Sequence, residues 1–174
     1  FTSLSSISDI MLIAKKTLVE GNSKIIPNVS RSVVTDRDPL SIFYEIYSDS
    51  ACSLFVDYEI FDESETTAFK SKSLMDVKTG TNQYFKNLDS LNINLGKYIL
   101  KITLRDPLDK VIDTSTKVFV SRWYGVPVTI TDLEKAIDQL IFIANPEDLE
   151  FIKAADSRLE KAKRFVAFWR KQDP

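Results

Sequence analysis

The stretch "CSLFVDYEIFD" at residues 52–62 decides the fold class. Leu54, Val56, Tyr58 and Ile60 fall on one side of an extended chain, and Asp57 and Glu59 point the other way. A period of two is the pattern of a strand with one face buried and one face wet. The preceding "LSIFYEIYS" (40–48) repeats it with Ile42, Tyr44 and Ile46, and the link "SDSA" (48–51) is turn chemistry, so the two segments are expected to pair as a hairpin.

The same device recurs downstream. "GKYILKITLRD" (96–106) places Tyr98, Leu100, Ile102 and Leu104 inward, and the turn "RDPLDK" leads into "KVIDTSTKVFVS" (110–121), its expected hairpin partner. Fainter strand patterns lie near 6–18, 24–29, 66–77 and 83–94. Short strands separated by Asn, Asp, Gly and Pro clusters, with no helical stretch between them, predict an antiparallel sandwich over residues 1–121. Within "LNINLGKYIL", a glycine two residues before an inward tyrosine is the pattern of immunoglobulin-like modules, in which that hydroxyl ties the preceding loop back. A plain core role for Tyr98 fits the same pattern.

After "SRWYGVP" (121–127) the period changes. Gly125 and Pro127 interrupt the sheet pattern, which marks 122–130 as a joint. Leu133, Ala136, Ile137, Leu140, Ile141 and Ala144 then recur at helical spacing, with Thr131 and Glu134 placed as a capping box. In "NPEDLEF", Asn145 is a cap, Pro146 stands at the first helical position, and Glu147 and Asp148 complement the helix dipole. The inward stripe of this second helix is expected to be Leu149, Ile152, Leu159, Ala162, Val166 and Trp169. The prediction is mainly β with appended α: an immunoglobulin-like sandwich followed by a helical hairpin over 131–174 that opens a further C-terminal domain.

Composition narrows the chemistry. The 174 residues are 44% hydrophobic and 28% charged, ordinary for a globular chain. The balance of 23 basic and 25 acidic residues lacks the electrostatic footprint of a nucleic-acid binder. Histidine is absent, which excludes Ser-His-Asp and Cys-His nucleophile systems and histidine-ligated metals. Cys52 is the single cysteine; it is either a small half-buried strand residue or a thiol that pairs between molecules. The acidic residues Asp57 and Glu59, and Asp62, Glu63 and Glu65, read as solvated surface, because the turn lacks the glycine and spacing of a calcium loop. Nothing points to catalytic residues, a metal or a cofactor.

Two features suggest interaction instead. Trp123 and Tyr124 precede the Gly-Val-Pro break and are expected to wedge between sandwich and helices. Phe165, Phe168 and Trp169 span more of the helix circumference than one inward stripe covers, so they are expected to form a docking surface. Lys161, Lys163, Arg164, Arg170 and Lys171 complement the helix dipole, and a peripheral membrane or anionic contact is the alternative role for that cluster. The longest apolar runs, such as "LIFIA" (140–144), are far short of the ~18 residues a spanning helix requires.

In order, "IIPNVSRSVV", "LSIFYEIYS", "LGKYILKITLRD", "RWYGVPVTITDLEKAIDQLIFIANPEDLEFI" and "FVAFWRKQDP" resemble the body of the bacterial GWxTD domain-containing proteins. The resemblance covers about residues 24–174 and is most specific from Trp123 through Leu140 and in Phe168-Trp169…Asp173-Pro174. In that family the last segment continues through a Thr-Pro loop and another helix to the Gly-Trp-x-Thr-Asp signature. The resemblance thus implies that the sequence stops at a domain joint and that the continuation covers Phe165, Phe168 and Trp169. It further implies a secreted, periplasmic or outer-membrane-associated protein without assigned chemistry, anchored, if at all, through an upstream segment. Two functions follow as expectations. One is a non-enzymatic interaction or scaffold module, its partner the missing C-terminal region, another envelope protein or a second copy. The other is a carbohydrate- or small-ligand-binding sandwich using Phe43, Tyr47, Phe55 and Phe61 on outward strand faces.

Overall fold

Alternating side chains pair into ten strands in the computed structural model, which describes residues 4–19, 22–89, 91–127 and 129–172. The strands are β1 (Ser5–Ile7), β2 (Met11–Val19), β3 (Asn22–Pro27), β4 (Ser32–Val34), β5 (Leu40–Ser48), β6 (Cys52–Asp62), β7 (Thr67–Val77), β8 (Gly80–Leu88), β9 (Gly96–Arg105) and β10 (Val111–Arg122). Residues 173 and 174, part of the Asp-Pro ending singled out above, lie outside the described residues.

The strands form two sheets. In the first, β8 pairs along the whole of β5, while β1 and β2 share the opposite edge of β5 and β3 pairs with β2. The second has the order β4-β10-β9-β6-β7, antiparallel except for the parallel pair β4–β10. The expected hairpin of β9 and β10 is present. The expected hairpin of β5 and β6 is not, because the two strands belong to different sheets and Asp49–Ala51 arches between them. The physical reason is in the inward faces. Each strand carries a complete row of large apolar side chains, and the two rows face one another across the core. Tyr44 and Tyr58 meet there hydroxyl to hydroxyl at 2.5 Å, with Met75 Sδ at 3.7 and 3.9 Å.

This strand order, in which the chain changes sheet at β3–β4, β4–β5, β5–β6, β7–β8 and β8–β9, is that of an immunoglobulin-like sandwich. Tyr98, at the start of β9, is buried, and its Oη accepts the Asn94 N–H at 3.1 Å. The tyrosine therefore does tie the preceding loop to the strand, and burial pushes its hydroxyl above the ordinary phenol range.

Asp57 departs from expectation. It is only 5% exposed. Its Oδ2 lies 2.6 Å from Arg105 Nε, and Lys72 Nζ stands 3.9 Å from Oδ1. β6 is flanked by β7 and β9, so long cationic side chains from both neighbours fold over its outer face and remove the carboxylate from water.

Beyond β10 the chain forms α1 (Leu133–Gln139), a 3₁₀ turn (Leu140–Phe142), α2 (Pro146–Lys153) and α3 (Arg158–Gln172). Three helices replace the expected hairpin. The cap of α1 is Asp132, not Thr131: its carboxylate accepts the Lys135 N–H at 3.1 Å. Asn145 caps α2 as expected, with Pro146 in its first turn. The anticipated long second helix breaks at residues 154–157, where Ser157 Oγ accepts the Glu160 N–H at 3.2 Å and starts α3. The break resets the helical phase. Ala162, Phe165 and Phe168 are consequently the buried residues of α3, while Leu159 and Trp169 stay partly exposed.

Two predictions follow from the sandwich core. Tyr98→Phe removes the acceptor of the Asn94 N–H, which lies at an exposed residue, and is expected to cost about 0.5–1.5 kcal/mol, read from the urea midpoint. Burial, the largest cause, raises the Tyr44 and Tyr58 hydroxyls above their ordinary value of 10.0. The unfolded chain releases these protons at lower pH than the folded one, so their contribution is complete below that value and declines as pH rises above it. Urea midpoints at about pH 8 and about pH 11 should differ, and Tyr44→Phe should reduce the difference.

Candidate interaction surface at the helical end

Trp123 occupies the place where strand becomes helix. β10 ends at Arg122, and the indole turns under the end of the sandwich, where Nε1–H donates to the Ile93 carbonyl at 3.2 Å. Around it the helices assemble a second core from Leu95, Val126, Leu133, Ile137, Leu140, Ile152, Ala162, Phe165 and Phe168. Gly125 permits the reversal: its φ is +81°, and a Cβ there would meet Val166 Cγ1 at 3.4 Å.

Tyr124 is placed differently from its neighbour. It is mostly exposed, its N–H donates to Asp36 Oδ1 at 2.9 Å, and the Arg37 guanidinium lies 3.3 Å over its ring. The wedge is therefore Trp123 alone, and Tyr124 clamps the loop after β4. Phe165 (1% exposed) and Phe168 (5%) are core residues. Only Trp169, at 41%, shows a substantial part of its ring, standing edge-on to both phenylalanines with centroids 6.4 and 5.7 Å away. The three side chains do not form an exposed cluster, because the break before α3 turns two of them onto the second core.

The exposed apolar surface lies elsewhere in the helical part, mostly at residues the helical pattern did not select. Phe142 is 85% exposed, flanked in sequence by exposed Ile141 and Ile143, and Phe151 of α2 is exposed as well. Ile141 was assigned to the inward stripe of α1; the tightening into a 3₁₀ turn at Leu140 rotates it outward. A signal was present in "LIFIA", since five consecutive apolar residues cannot all face one side of a helix.

Around this surface the charges are satisfied locally. Lys153 pairs with Asp138 at 2.7 Å and Lys171 with Asp148 at 3.7 Å. Arg164 lies 4.3 Å over the Phe151 ring and donates through Nη1 to the Phe151 carbonyl at 2.6 Å. Lys161 and Lys163 also have carboxylate partners, Glu134 and Glu160. Beside Trp123 two open grooves, about 760 and 830 Å³, separate sandwich from helices. Both have walls of mixed charge, including Arg158 in each, Asp62 and Lys97 in the first and Asp36 and Arg37 in the second. Among the described residues, no group of three or more His, Cys, Asp or Glu is placed to hold a metal ion.

The architecture defines an immunoglobulin-like β-sandwich whose end carries three helices packed on Trp123. No family model and no curated protein matches the chain. Among solved structures it is similar to a beta-glucuronidase of Bacteroides uniformis (TM-score 0.46, 12% identity, covering 69% of this chain and 14% of that one). It is also similar to a putative beta-galactosidase from Bacteroides fragilis (TM-score 0.43, 12% identity, 66% and 17% covered). A third is the Bifidobacterium dentium beta-glucuronidase (TM-score 0.35, 17% identity, 68% and 18% covered). The chain spans less than a fifth of each of these proteins.

Trp123→Ala is expected to lower stability by about 3–5 kcal/mol, because it opens a cavity where both the sandwich end and the helices pack. A thermal melt within a degree or so of the parent's would show that the indole does not join them.

Proposed function

We propose that this chain is a non-enzymatic interaction module of a bacterial envelope or secreted protein, and that it docks an apolar surface of a partner protein through the helical end. The observation that carries this reading is the exposure of Ile141, Phe142, Ile143 and Phe151 on one small helical unit. An exposed large apolar side chain forfeits roughly 1.5–3 kcal/mol of burial, and a contiguous group of them generally marks a contact site. Lys153, Lys171 and Arg164 are each held by an acid or a carbonyl of the chain itself, which favours an apolar partner over an anionic one. The envelope setting and the scaffold role are what the resemblance to GWxTD domain-containing proteins implies. No helix among the described residues is long and apolar enough to cross a membrane.

A second reading, a glycan-binding sandwich face, rests on Tyr47 and Phe85, which are partly exposed on the outer side of β5 and β8. It is less favoured because the Lys16 ammonium sits 4.0 Å over the Phe85 ring, where a sugar would stack.

The test is a Phe142→Asp/Phe151→Asp variant. Since both side chains are exposed, its unfolding free energy should stay within about 1 kcal/mol of the parent's, while hydrophobic-dye binding falls. A partner captured from native envelopes by the parent and lost by the variant supports the docking role. Identical partner sets, or a specific glycan-array signal that the variant retains, would overturn it.

A further inference from the structure

Five strands border the open edges of the two sheets, and four of them are blunted. β1 and β4 are three residues long, and the Ile7 N–H of β1 is taken by the Asp113 carboxylate at 2.9 Å. β3 is six residues long and ends on Pro27, which has no N–H to offer. β8 directs Lys86 inward, its Nζ 5.5 Å over the Tyr58 ring, and an inward-pointing charge is a common defence against edge pairing. β7 carries only one irregularity, an extra residue at Ala68 near its start, where the register against β6 shifts. From Phe69 to Val77 it runs regularly without Pro or Gly, and its inward side chains are Phe69, Ser71, Ser73, Met75 and Val77. Among the described residues it pairs only with β6.

Its outward lysines do not guard it either. Lys70 Nζ is drawn 2.9 Å from Glu59, and Lys72 Nζ lies 2.7 Å from Asp109 and 4.5 Å over the Phe55 ring. Both side chains lean across their own sheet. What remains, from Phe69 to Val77, is a regular edge whose main-chain groups form a template for another strand.

We propose that β7 pairs antiparallel with β7 of a second copy of this chain, about a two-fold axis at Ser73, joining the two second sheets into one. The choice of occupant and register comes from side-chain complementarity, since residues directly opposite one another on one face interact most strongly and like charges there repel. With Ser73 on the axis, Lys70 stands opposite Asp76 of the other copy, twice, and Lys72 opposite Leu74. On the inward face Phe69 meets Val77 and Ser71 meets Met75. Moving the axis to Lys72 sets that lysine against itself, and moving it to Ser71 sets Lys70 against Lys72. Moving it to Leu74 sets Lys70 against Lys78. The Ser73 register opposes no like charges along the strand, and it makes an isologous, closed contact, which ends at a dimer. This surface is separate from the helical end, so the inference does not depend on the docking role given above.

Sedimentation velocity of the 174-residue chain over a concentration series should show a monomer–dimer equilibrium. Asp76→Lys places two lysine pairs across the axis and should weaken dimerisation about tenfold, whereas Lys70→Asp/Asp76→Lys reverses both charges and should restore it. In a Cys52→Ser background, Ser73→Cys should form an intermolecular disulfide, because opposed Cα atoms in an antiparallel pair are about 4.5–5.5 Å apart. Thr67→Cys, at the far end of the strand, should not. Circular dichroism confirms that each variant is folded. A monomer at every concentration, a dimer indifferent to Asp76→Lys, or equal cross-linking at positions 67 and 73 would overturn the proposal.

Discussion

The hydrogen bond from the Trp123 indole to the Ile93 carbonyl is the contact on which the arrangement of this molecule depends. β10 delivers the indole to the end of the sandwich, and Gly125 reverses the chain immediately afterwards. The three helices then have one apolar object around which to close. Leu95, from the loop before β9, and Trp123, from the end of β10, are the sandwich's contribution to the second core. Helices as short as α1 and α2 are marginal alone, so their packing on this surface supplies most of what holds them. That dependence also orients the exposed group at Ile141–Ile143 and Phe151, because once Ile137, Leu140 and Ile152 are turned inward their neighbours must face water.

Inside the sandwich the two sheets are coupled through tyrosines as well as aliphatic residues. A hydroxyl buried without a partner is costly, and Tyr44 and Tyr58 satisfy one another across the interior. On the outer face of the second sheet, Asp57 and Arg105 make a comparable pairing between β6 and β9. A buried ion pair of this kind contributes little net stability against an apolar replacement. It does penalise any slip of β9 against β6, which would separate the two charges and leave the carboxylate alone.

The borders of the sheets show how local chemistry controls association. Short strands, a terminal proline and an inward lysine close most edges, and each works by removing a donor or by making the approach of a second strand costly. On β7 the lysines have been taken up by acids on neighbouring strands and loops, so charges that would protect an edge elsewhere serve the outer face instead.

The sequence by itself determined the elements whose pattern is local. Period-two alternation identified β5, β6, β9 and β10, glycine followed by tyrosine at 96–98 located the loop tie, and Asn145-Pro146 located the start of α2. Of the candidate site it determined that Trp123 stands at the joint. The tertiary structure decided what depends on distant partners. The Asp49–Ala51 link reads as a hairpin turn, yet it is an arch, because only the opposing row of side chains from the other sheet decides whether two strands pair or face one another. Asp57 is an ordinary surface residue until Arg105 and Lys72 arrive from other strands. Phe165 and Phe168 are inside and Phe142 is outside, because the phase of a helix is set where it begins. Ser157 and the 3₁₀ turn at Leu140 set those starting points by hydrogen bonds that the apolar spacing does not encode.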